Sequence, residues 1–318
     1  MLKKESSKTR KQVLKAHLIA LRPRQWTKNL IVFAAPLFAF TINQEALLGS
    51  LMAFVLFCAT SSSFYLFNDI ADLNCDRAHP EKCHRPIAAG LVSVSTAIIM
   101  GIILLGGALT FAWLKTPALG AILSAYAVLQ IAYNLKLKHT VILDIMAIAA
   151  GFVLRASSGA AAIAITLSPW FILCTAMLAL FLGIEKRKAE LRLLAQKGGK
   201  TRKVLRFYSL ELLARMENIV TTGTIVTYAL WSAGPVVDGA ATPWMMLTLP
   251  FVIYGIFRYQ LLGEIKETNC DQSFLNKVGK TEQPDEVLLQ DMPMLITVVG
   301  WVMTSFFILL FHHGGLSN

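Results

Sequence analysis

Residues 46–77 read ALLGSLMAFVLFCATSSSFYLFNDIADLNCDR, an apolar run that ends in a cluster of acidic side chains. The apolar part, Ala46–Phe67, is long enough for a membrane-spanning helix, since a hydrocarbon core of about 30 Å needs roughly 20 apolar residues. The whole chain has the same character: of its 318 residues 55% are hydrophobic and only 15% are charged, and the mean hydropathy is +0.58. This composition excludes an ordinary soluble protein and predicts an all-α, polytopic membrane protein.

Nine apolar stretches bounded by charge, Pro or Gly predict about nine transmembrane helices. The first is short, so we expect it to extend back through Trp26 or to lie tilted in the membrane. The nine stretches are Asn29–Thr41, Ala46–Phe67, Ser93–Leu114, Pro117–Leu135, Val141–Ile165, Pro169–Ile184, Ile219–Val236, Pro243–Leu262 and Pro293–His312.

The distribution of Lys and Arg predicts the orientation of these spans. Nine basic residues lie between Lys3 and Lys28, before the first span, whereas the next loop, Thr41–Glu45, has none. With the N-terminus inside, the basic residues gather in the inside loops, above all in Lys186–Arg215, and only Lys115 falls in an outside loop. The positive-inside rule therefore predicts a cell-membrane protein with a cytoplasmic N-terminus and, after an odd number of spans, an outside C-terminus.

The N-terminal segment, residues 1–25, carries charges but lacks the apolar core and cleavage site of a signal peptide. Its apolar residues recur at helical spacing among basic ones, which predicts a cytoplasmic amphipathic segment on anionic headgroups. Residues 26–318 then form one transmembrane domain. Because the net charge of +11 is distributed among membrane loops, we expect no nucleic-acid partner.

Four side chains with oxygen ligands follow the second span: Asn68, Asp69, Asp72 and Asp76. On a continuing helix the three aspartates share one face, where their charges repel one another unless a cation lies among them. Oxygen donors without His or Cys indicate a hard metal, most often Mg²⁺ that bridges to phosphate oxygens. A solvated acidic helix end is the alternative, but acidic groups where a span meets the interface are costly and usually functional. The motif therefore predicts a magnesium diphosphate site at the cytoplasmic face.

Cationic side chains near this motif are candidates for binding the phosphates. Lys82 and Arg85 follow the motif and suit the outer oxygens of the same diphosphate. Gln25 and Lys28 lie at the interface before the first span, where Lys28 is either a membrane anchor or a phosphate ligand. Acidic groups for the metal and basic groups for the phosphates together indicate one substrate site.

A second polar cluster ends the sixth span. Lys186, Arg187 and Glu190 have a helical spacing that lets them face the pocket while Lys188 and Arg192 point elsewhere. The competing interpretation, equally open, is that these are ordinary positive-inside anchors.

Further polar residues are expected at the same cytoplasmic mouth. Tyr133 and Lys138 lie at the turn between the fourth and fifth spans, and Asp144 lies about one turn inside the fifth. Arg155 is three turns deeper, where a charge needs a partner or water; a structural salt bridge is the competing interpretation. The acidic loop Gly263–Met292 is expected to be a mainly solvated lid.

These features resemble the UbiA superfamily of intramembrane prenyltransferases: NDxxDxxxD at Asn68–Asp76 after the second of nine spans, and a polar cluster after the sixth. More closely, RPRQWTKNLIVFAAP, HRPIAAG, LKHTVILD with GFVLRA, and KRKAEL resemble the decaprenyl-phosphate phosphoribosyltransferases within it. The similarity runs over almost the whole chain, from Arg22 to beyond Asp285. It implies a UbiA-like helical bundle that makes residues 26–318 the catalytic domain.

The resemblance also implies an activity, the transfer of 5-phosphoribose from phosphoribosyl diphosphate to a polyprenyl phosphate in cell-envelope sugar-lipid biosynthesis. Diphosphate is released, and a homo-oligomer is compatible with this function. Asp69, Asp72 and Asp76, with Asn68, would hold Mg²⁺ on the departing diphosphate. The phosphates would be oriented by Arg85, Lys138, Lys186 and Arg187.

One departure from ordinary UbiA prenyltransferases is informative. Those enzymes carry a second acidic motif, DxxxD, for a second Mg²⁺, whereas Lys186 and Arg187 stand on the corresponding helix here and suit a bare phosphate. Glu185 and Lys188 replace the glycine and tyrosine that are usual in the closer relatives, so we place both outside the site.

Two alternative functions remain at this stage. A UbiA-type aromatic prenyltransferase shares the first motif but predicts acidic residues in place of Lys186 and Arg187. A transporter would accommodate nine spans and a buried Arg155, but the sequence lacks paired broken helices or inverted repeats, and its charges gather at one mouth.

Overall fold

The computed structural model describes residues 13–40, 43–79, 82–197, 203–264 and 291–315, and these are helices joined by short turns, with no strand among them. The α-helices are α1 (13–20), α2 (Ala34–Phe38), α3 (Gln44–Ala71), α4 (Leu73–Arg77), α5 (Val94–Lys115), α6 (Pro117–Leu135), α7 (Leu143–Ala162), α8 (Pro169–Lys197), α9 (Leu210–Ser232), α10 (Leu249–Glu264) and α11 (Met292–Gly315). The longer 3-10 helices are Pro23–Phe33, Lys203–Phe207 and Pro243–Thr248. Residues 1–12 of the N-terminal segment and most of the expected lid lie outside the described residues.

Seven helices of the described chain are long and apolar enough to cross a membrane, namely α3, α5, α6, α7, α8, α10 with the 3-10 turn before it, and α11. They confirm a polytopic, all-helical membrane protein and seven of the predicted spans, whereas the count of nine is not confirmed. The seventh predicted span begins earlier than expected: α9 starts at Leu210, and Glu211, Arg215 and Glu217 make its first half polar.

The first predicted span is mostly a 3-10 helix. It begins at Pro23 and so extends back through Trp26, as expected. Eleven residues of 3-10 helix rise about 2.0 Å each and the five residues of α2 about 1.5 Å each, which gives about 30 Å in total. The tighter helix therefore lets a short segment reach the length of a bilayer core.

Polar caps begin several of the long helices. The side chains of Asn43, Ser93, Thr116 and Ser209 each accept a hydrogen bond from a backbone N–H in the first turn of α3, α5, α6 and α9. Such caps satisfy N–H groups that the helix itself leaves without partners. They explain why these helices begin directly after short turns.

Successive long helices pack against one another from α5 to α11, α3 packs on both α5 and α7, and α2 contacts α11. Because neighbours in sequence run antiparallel, the last residues of α3, α6, α8 and α10 share one end of the bundle with the first residues of α7, α9 and α11. We call this the motif end, since the acidic motif lies there.

Close approach of the first segment to α7 requires a glycine. A Cβ on Gly159 would lie 1.9 Å from the backbone oxygen of Val32, which is impossible for any other residue without moving the backbone. The small residue lets the two helices touch, as is usual in membrane bundles. This contact fixes the 3-10 helix, with Asn29 on it, against the last turns of α7.

The prediction of a continuous helix through the acidic motif is wrong. α3 ends at Ala71, Asp72 has φ −92° and ψ 7°, and α4 begins at Leu73. Asn and Asp have low helix propensity because their side chains compete for backbone hydrogen bonds, and five of them lie between residues 68 and 76. Asp69 therefore lies on α3 and Asp76 on α4.

Candidate active site

Two carboxylates of the acidic motif are buried and share one arginine. Nη1 of Arg85 donates to Asp76 Oδ2 at 2.6 Å and to Asp69 Oδ1 at 3.1 Å. Arg22 donates to the same oxygen of Asp69. These four residues form the first cluster. Two carboxylate oxygens that converge on one nitrogen mark a position where positive charge is stabilised.

Asn68 and Asp72 are half-buried beside this cluster, and their side chains make no hydrogen bond or ion pair with the described residues. Lys82, by contrast, is exposed, on the 3-10 turn that leads to Arg85. The structure thus brings Asp69, Asp76 and Arg85 together and leaves Asp72 at the helix break.

Mg²⁺ fits this chemistry, although not as an ion held by protein alone. Across the described ranges, no three His, Cys, Asp or Glu side chains lie close enough together to enclose a metal. Protein-bound Mg²⁺ usually takes only one or two carboxylates, with waters and substrate phosphates completing its shell. Asp69 and Asp76 supply two such oxygens around a position that a cation already holds. The residues therefore fit Mg²⁺ that arrives with a phosphate ligand.

Arg22 belongs to the first cluster, although it was not among the residues predicted for the site. Its backbone is left-handed, with φ 54° and ψ 59°, and it directly precedes Pro23, which disfavours that conformation further. Its guanidinium lies 4.8 Å from the centre of the Tyr65 ring. Contacts to Asp69 and Tyr65 hold a residue that would otherwise relax, and such local strain is typical of functional sites. The RPR sequence itself gave no sign of this contact.

Other predicted ligands lie on the same 3-10 helix. Lys28 donates to the side-chain oxygen of Gln25, and both residues are half-buried. The pair holds the Lys28 ammonium beside Gln25. Its role as anchor or phosphate ligand stays a prediction.

A second cluster joins α7, α8 and the segment before α9. Arg187 is 0% exposed; its Nε donates to Asp144 Oδ2 at 2.7 Å and its Nη1 to Glu190 Oε2 at 2.5 Å. Its Nη2 is buried without a hydrogen-bond partner among the described residues. Lys186 directly precedes Arg187 on α8, and Lys138 lies on the turn before α7; both are half-buried. The structure thus brings three predicted site residues into one buried ion-pair network that retains an unused donor.

Tyr208 completes the second cluster, and no signal in the sequence singled it out. Its hydroxyl donates to Asp144 Oδ1 at 2.7 Å and accepts from the backbone N–H of Ile142 at 2.6 Å. Burial and the hydrogen bond to Asp144 raise the pKa of Tyr208, so the phenol stays a donor at neutral pH. Ile142 has φ 70°, an unfavourable value for a β-branched residue, so its hydrogen bond holds a strained turn.

Tyr208→Phe is expected to destabilise the protein by about 1–3 kcal/mol, because it leaves the Ile142 N–H and an Asp144 oxygen unpaired. The thermal midpoint in detergent measures the effect. Tyr254→Phe is the matched control, since Tyr254 is 48% exposed and no hydrogen bond holds its hydroxyl among the described residues. An equal effect of both substitutions would show that Tyr208 does not hold the turn.

Arg155 lies deeper in the bundle and has neutral partners. Its Nε donates to Asn29 Oδ1 at 2.8 Å and its Nη2 to the hydroxyl of Tyr126 at 2.6 Å. No acidic side chain among the described residues forms a salt bridge with Arg155, which argues against the alternative of a structural salt bridge. Tyr133 lies two turns from Tyr126 on the same face of α6, half-buried near the motif end. One face of α6 therefore runs from Arg155 towards the second cluster.

Lys188 points away from Arg187, as expected from the helical spacing. Its ammonium contacts Glu217 on α9, Glu185 at 2.9 Å and Glu264 on α10 at 3.2 Å. Glu185, Lys188 and Glu217 are buried, so this network ties α8 to α9 and α10. That Glu185 and Lys188 lie outside the site stays a prediction.

Comparison with known proteins identifies the family to which this helical bundle belongs. The sequence profile described as the UbiA prenyltransferase family matches residues 30–278. The chain belongs to this family. It is 36% identical over 307 residues to the decaprenyl-phosphate phosphoribosyltransferase of Mycolicibacterium smegmatis, which covers 92% of each chain. It is 37% identical over 290 residues to the enzyme of that name from Corynebacterium glutamicum, which covers 89% of this chain and 83% of the relative.

Solved UbiA structures share the fold. A UbiA homolog from Archaeoglobus fulgidus bound to GPP and Mg²⁺ has a TM-score of 0.64 at 18% identity, over 92% of this chain and 99% of the other. The apo UbiA homolog from Aeropyrum pernix K1 has a TM-score of 0.58 at 11% identity, over 90% and 97%. At these identities the likeness shows the fold alone, a membrane-integral UbiA bundle.

Proposed function

We propose that the protein transfers 5-phosphoribose from phosphoribosyl diphosphate to a polyprenyl phosphate and releases diphosphate. The observation that carries this proposal is the 36–37% identity to decaprenyl-phosphate phosphoribosyltransferases over about nine tenths of the chain. The two polar clusters at the motif end support it: in the first, two aspartates converge on a cation and suit a metal diphosphate, and in the second, Arg187 keeps an unused donor. The distribution of Lys and Arg supports a cytoplasmic position for this end.

The first cluster is the proposed donor site. Asp69 and Asp76, with Asp72 and Asn68 beside them, would hold Mg²⁺ together with the diphosphate. Bound there, Mg²⁺ neutralises the charge that grows on the leaving diphosphate. Arg85 gives up its bonds to the carboxylates and donates to phosphate oxygens instead. Arg22 can make the same exchange, because Tyr65 supports its guanidinium from one side.

The acceptor needs no general base. A lipid phosphate is already an anion at neutral pH, so one of its oxygens attacks the anomeric carbon as the bond to diphosphate breaks. The ribose configuration inverts, and no proton is transferred. We assign the orientation of the phosphate oxygens to Lys138, Lys186 and the unused Nη2 of Arg187, while the isoprenoid tail would extend into the bilayer.

The alternatives differ in what the second cluster must bind. An aromatic prenyltransferase of this family needs a second acidic motif, DxxxD, for a second metal there, whereas this chain has Lys186, Arg187 and Glu190 at that place. Membership of a prenyltransferase family gives no support to a transporter.

Purified protein in lipid nanodiscs, supplied with labelled phosphoribosyl diphosphate, Mg²⁺ and polyprenyl phosphate, tests the proposal. We expect label in the lipid extract and its loss on chelation of Mg²⁺. A parallel reaction contains a prenyl diphosphate and 4-hydroxybenzoate. Prenylation of the aromatic acid with no labelled lipid would refute the proposal.

A further inference from the structure

Arg155 is a fixed positive charge in the interior of the bundle. It lies twelve residues into α7, about 18 Å from the start of that helix at 1.5 Å per residue. It is 7% exposed, and its partners Asn29 and Tyr126 are also buried. A guanidinium stays protonated in proteins, so the charge persists at this depth.

The described residues supply contacts for this charge but no negative charge. Asn29 and the Tyr126 hydroxyl accept hydrogen bonds, and the Tyr126 ring lies 4.8 Å below the guanidinium. Every buried acidic side chain that the structure describes is paired with another cation: Asp69 and Asp76 with Arg85, Asp144 with Arg187, Glu185 and Glu217 with Lys188, and Asp291 with Arg258. A buried charge without a counterion is expensive inside a membrane protein and usually marks a substrate pathway.

The separation between Arg155 and the first cluster can be estimated along two helices. On α3, Asp69 is eight residues from Ser61, whose hydroxyl contacts Asn29, which corresponds to about 12 Å of helix. On the 3-10 helix, Arg22 is seven residues from Asn29, or about 14 Å. Side chains on a helix point towards its N-terminus, and Nη1 of Arg155 indeed lies one turn back, 3.3 Å from where a Cβ on Gly151 would be. The guanidinium therefore extends from the interior towards the motif end, which shortens the gap between the two sites.

We propose that Arg155, fixed by Asn29 and Tyr126, is the subsite for a phosphate monoester, the 5-phosphate of the sugar donor. The proposal rests on the proposed function and adds which group of the donor reaches the interior. The donor carries anionic groups at both ends of its ribose. When its diphosphate is bound at the first cluster, its 5-phosphate extends into the interior, where Arg155 is the one buried cation among the described residues without an acidic partner. The same charge disfavours a donor with an apolar chain in that place, so Arg155 also selects a sugar phosphate over a prenyl group.

Binding measurements separate this role from others. Titration calorimetry on nanodisc-embedded protein, with Mg²⁺ and no lipid acceptor, gives affinities for phosphoribosyl diphosphate and for inorganic diphosphate. For Arg155→Gln we expect about 10- to 100-fold weaker binding of phosphoribosyl diphosphate, because a charge-assisted contact is lost. Binding of inorganic diphosphate should be unchanged. Arg215→Gln, which removes an exposed arginine paired with Glu211, is the matched control and should change neither.

A second variant and a second ligand complete the test. Tyr126→Phe keeps the charge and should weaken phosphoribosyl diphosphate binding by less than Arg155→Gln does.

The KM for polyprenyl phosphate should be the same in wild type and Arg155→Gln. A rise in KM confined to the lipid would reassign the subsite to the acceptor phosphate and overturn the donor assignment. Equal binding of phosphoribosyl diphosphate by wild type and variant, or a matching loss of inorganic diphosphate, would make Arg155 structural. Wild-type protein that binds diphosphate but neither phosphoribosyl diphosphate nor polyprenyl phosphate would instead refute the proposed function.

Discussion

Replacement of Asp72 by asparagine is expected to lower kcat for phosphoribosyl transfer by on the order of 100- to 1,000-fold, the usual cost of losing one group that stabilises developing charge. Asp72 lies at the break between α3 and α4, half-buried beside the first cluster, and its side chain has no partner among the described residues. Its charge therefore serves no ion pair there and is available for the metal. Because no native contact is lost, the thermal midpoint should stay within about a degree of wild type.

The steady-state rate in nanodiscs and the thermal midpoint are measured on the same preparation. Asp238→Asn is the control: Asp238 is exposed in the turn after α9, at the opposite end of the bundle from the motif, and its φ of 52° suits asparagine equally well. Full activity of the Asp72 variant would remove this residue from the mechanism. A fall in the thermal midpoint of several degrees, alongside the fall in rate, would point to a structural role.

Loss of one partner of the Asp144–Arg187 pair is expected to destabilise the protein by about 3–5 kcal/mol, because it breaks a buried ion pair and leaves the remaining charge with fewer partners. Both side chains are 0% exposed, so water cannot compensate. Asp144→Asn and Arg187→Met each remove one charge. The double variant should be less destabilised than the sum of the two single variants, since the charge that remains, that of Glu190, is the partly exposed one of the three.

Reversible unfolding in mixed micelles gives these free energies. Arg215→Met and Glu211→Gln form the matched exposed cycle on α9, where we expect single effects below about 0.5 kcal/mol. Strict additivity in the Asp144–Arg187 cycle would contradict direct coupling between the two side chains.

Sequence patterns were sufficient for the class of fold and for much of the motif end. Apolar length predicts the spans because a bilayer core imposes a minimum helix length. The spacing of Asp69 and Asp76 predicts their proximity, which the structure shows through Arg85. The same spacing could not reveal the break at Asp72, since a helix end depends on the balance of local hydrogen bonds and packing.

Partners distant in sequence were the part that could not be predicted. Asp144 and Arg187 are 43 residues apart, and each had the sequence of an ordinary residue at a helix end. Tyr208 lies in a basic segment between spans, where an aromatic residue carries no periodic signal. Arg155 was recognised as a buried charge, but only the packing at Gly159 explains why its partner is Asn29 rather than an acid. Side-chain pairing across helices follows from tertiary packing, which no local pattern encodes.

The release of diphosphate from phosphoribosyl diphosphate, followed with three lipids, tests the central claim most directly. Purified wild-type protein in nanodiscs receives Mg²⁺ and donor, and either polyprenyl phosphate, the uncharged polyprenol, or no lipid acceptor. We expect rapid release with polyprenyl phosphate, matched mole for mole by phosphoribosylated lipid, and only background release in the other two reactions, because the proposed nucleophile is a phosphate oxygen and neither of them supplies one. Release that does not depend on polyprenyl phosphate, or that occurs equally with polyprenol, would contradict transfer to a lipid phosphate.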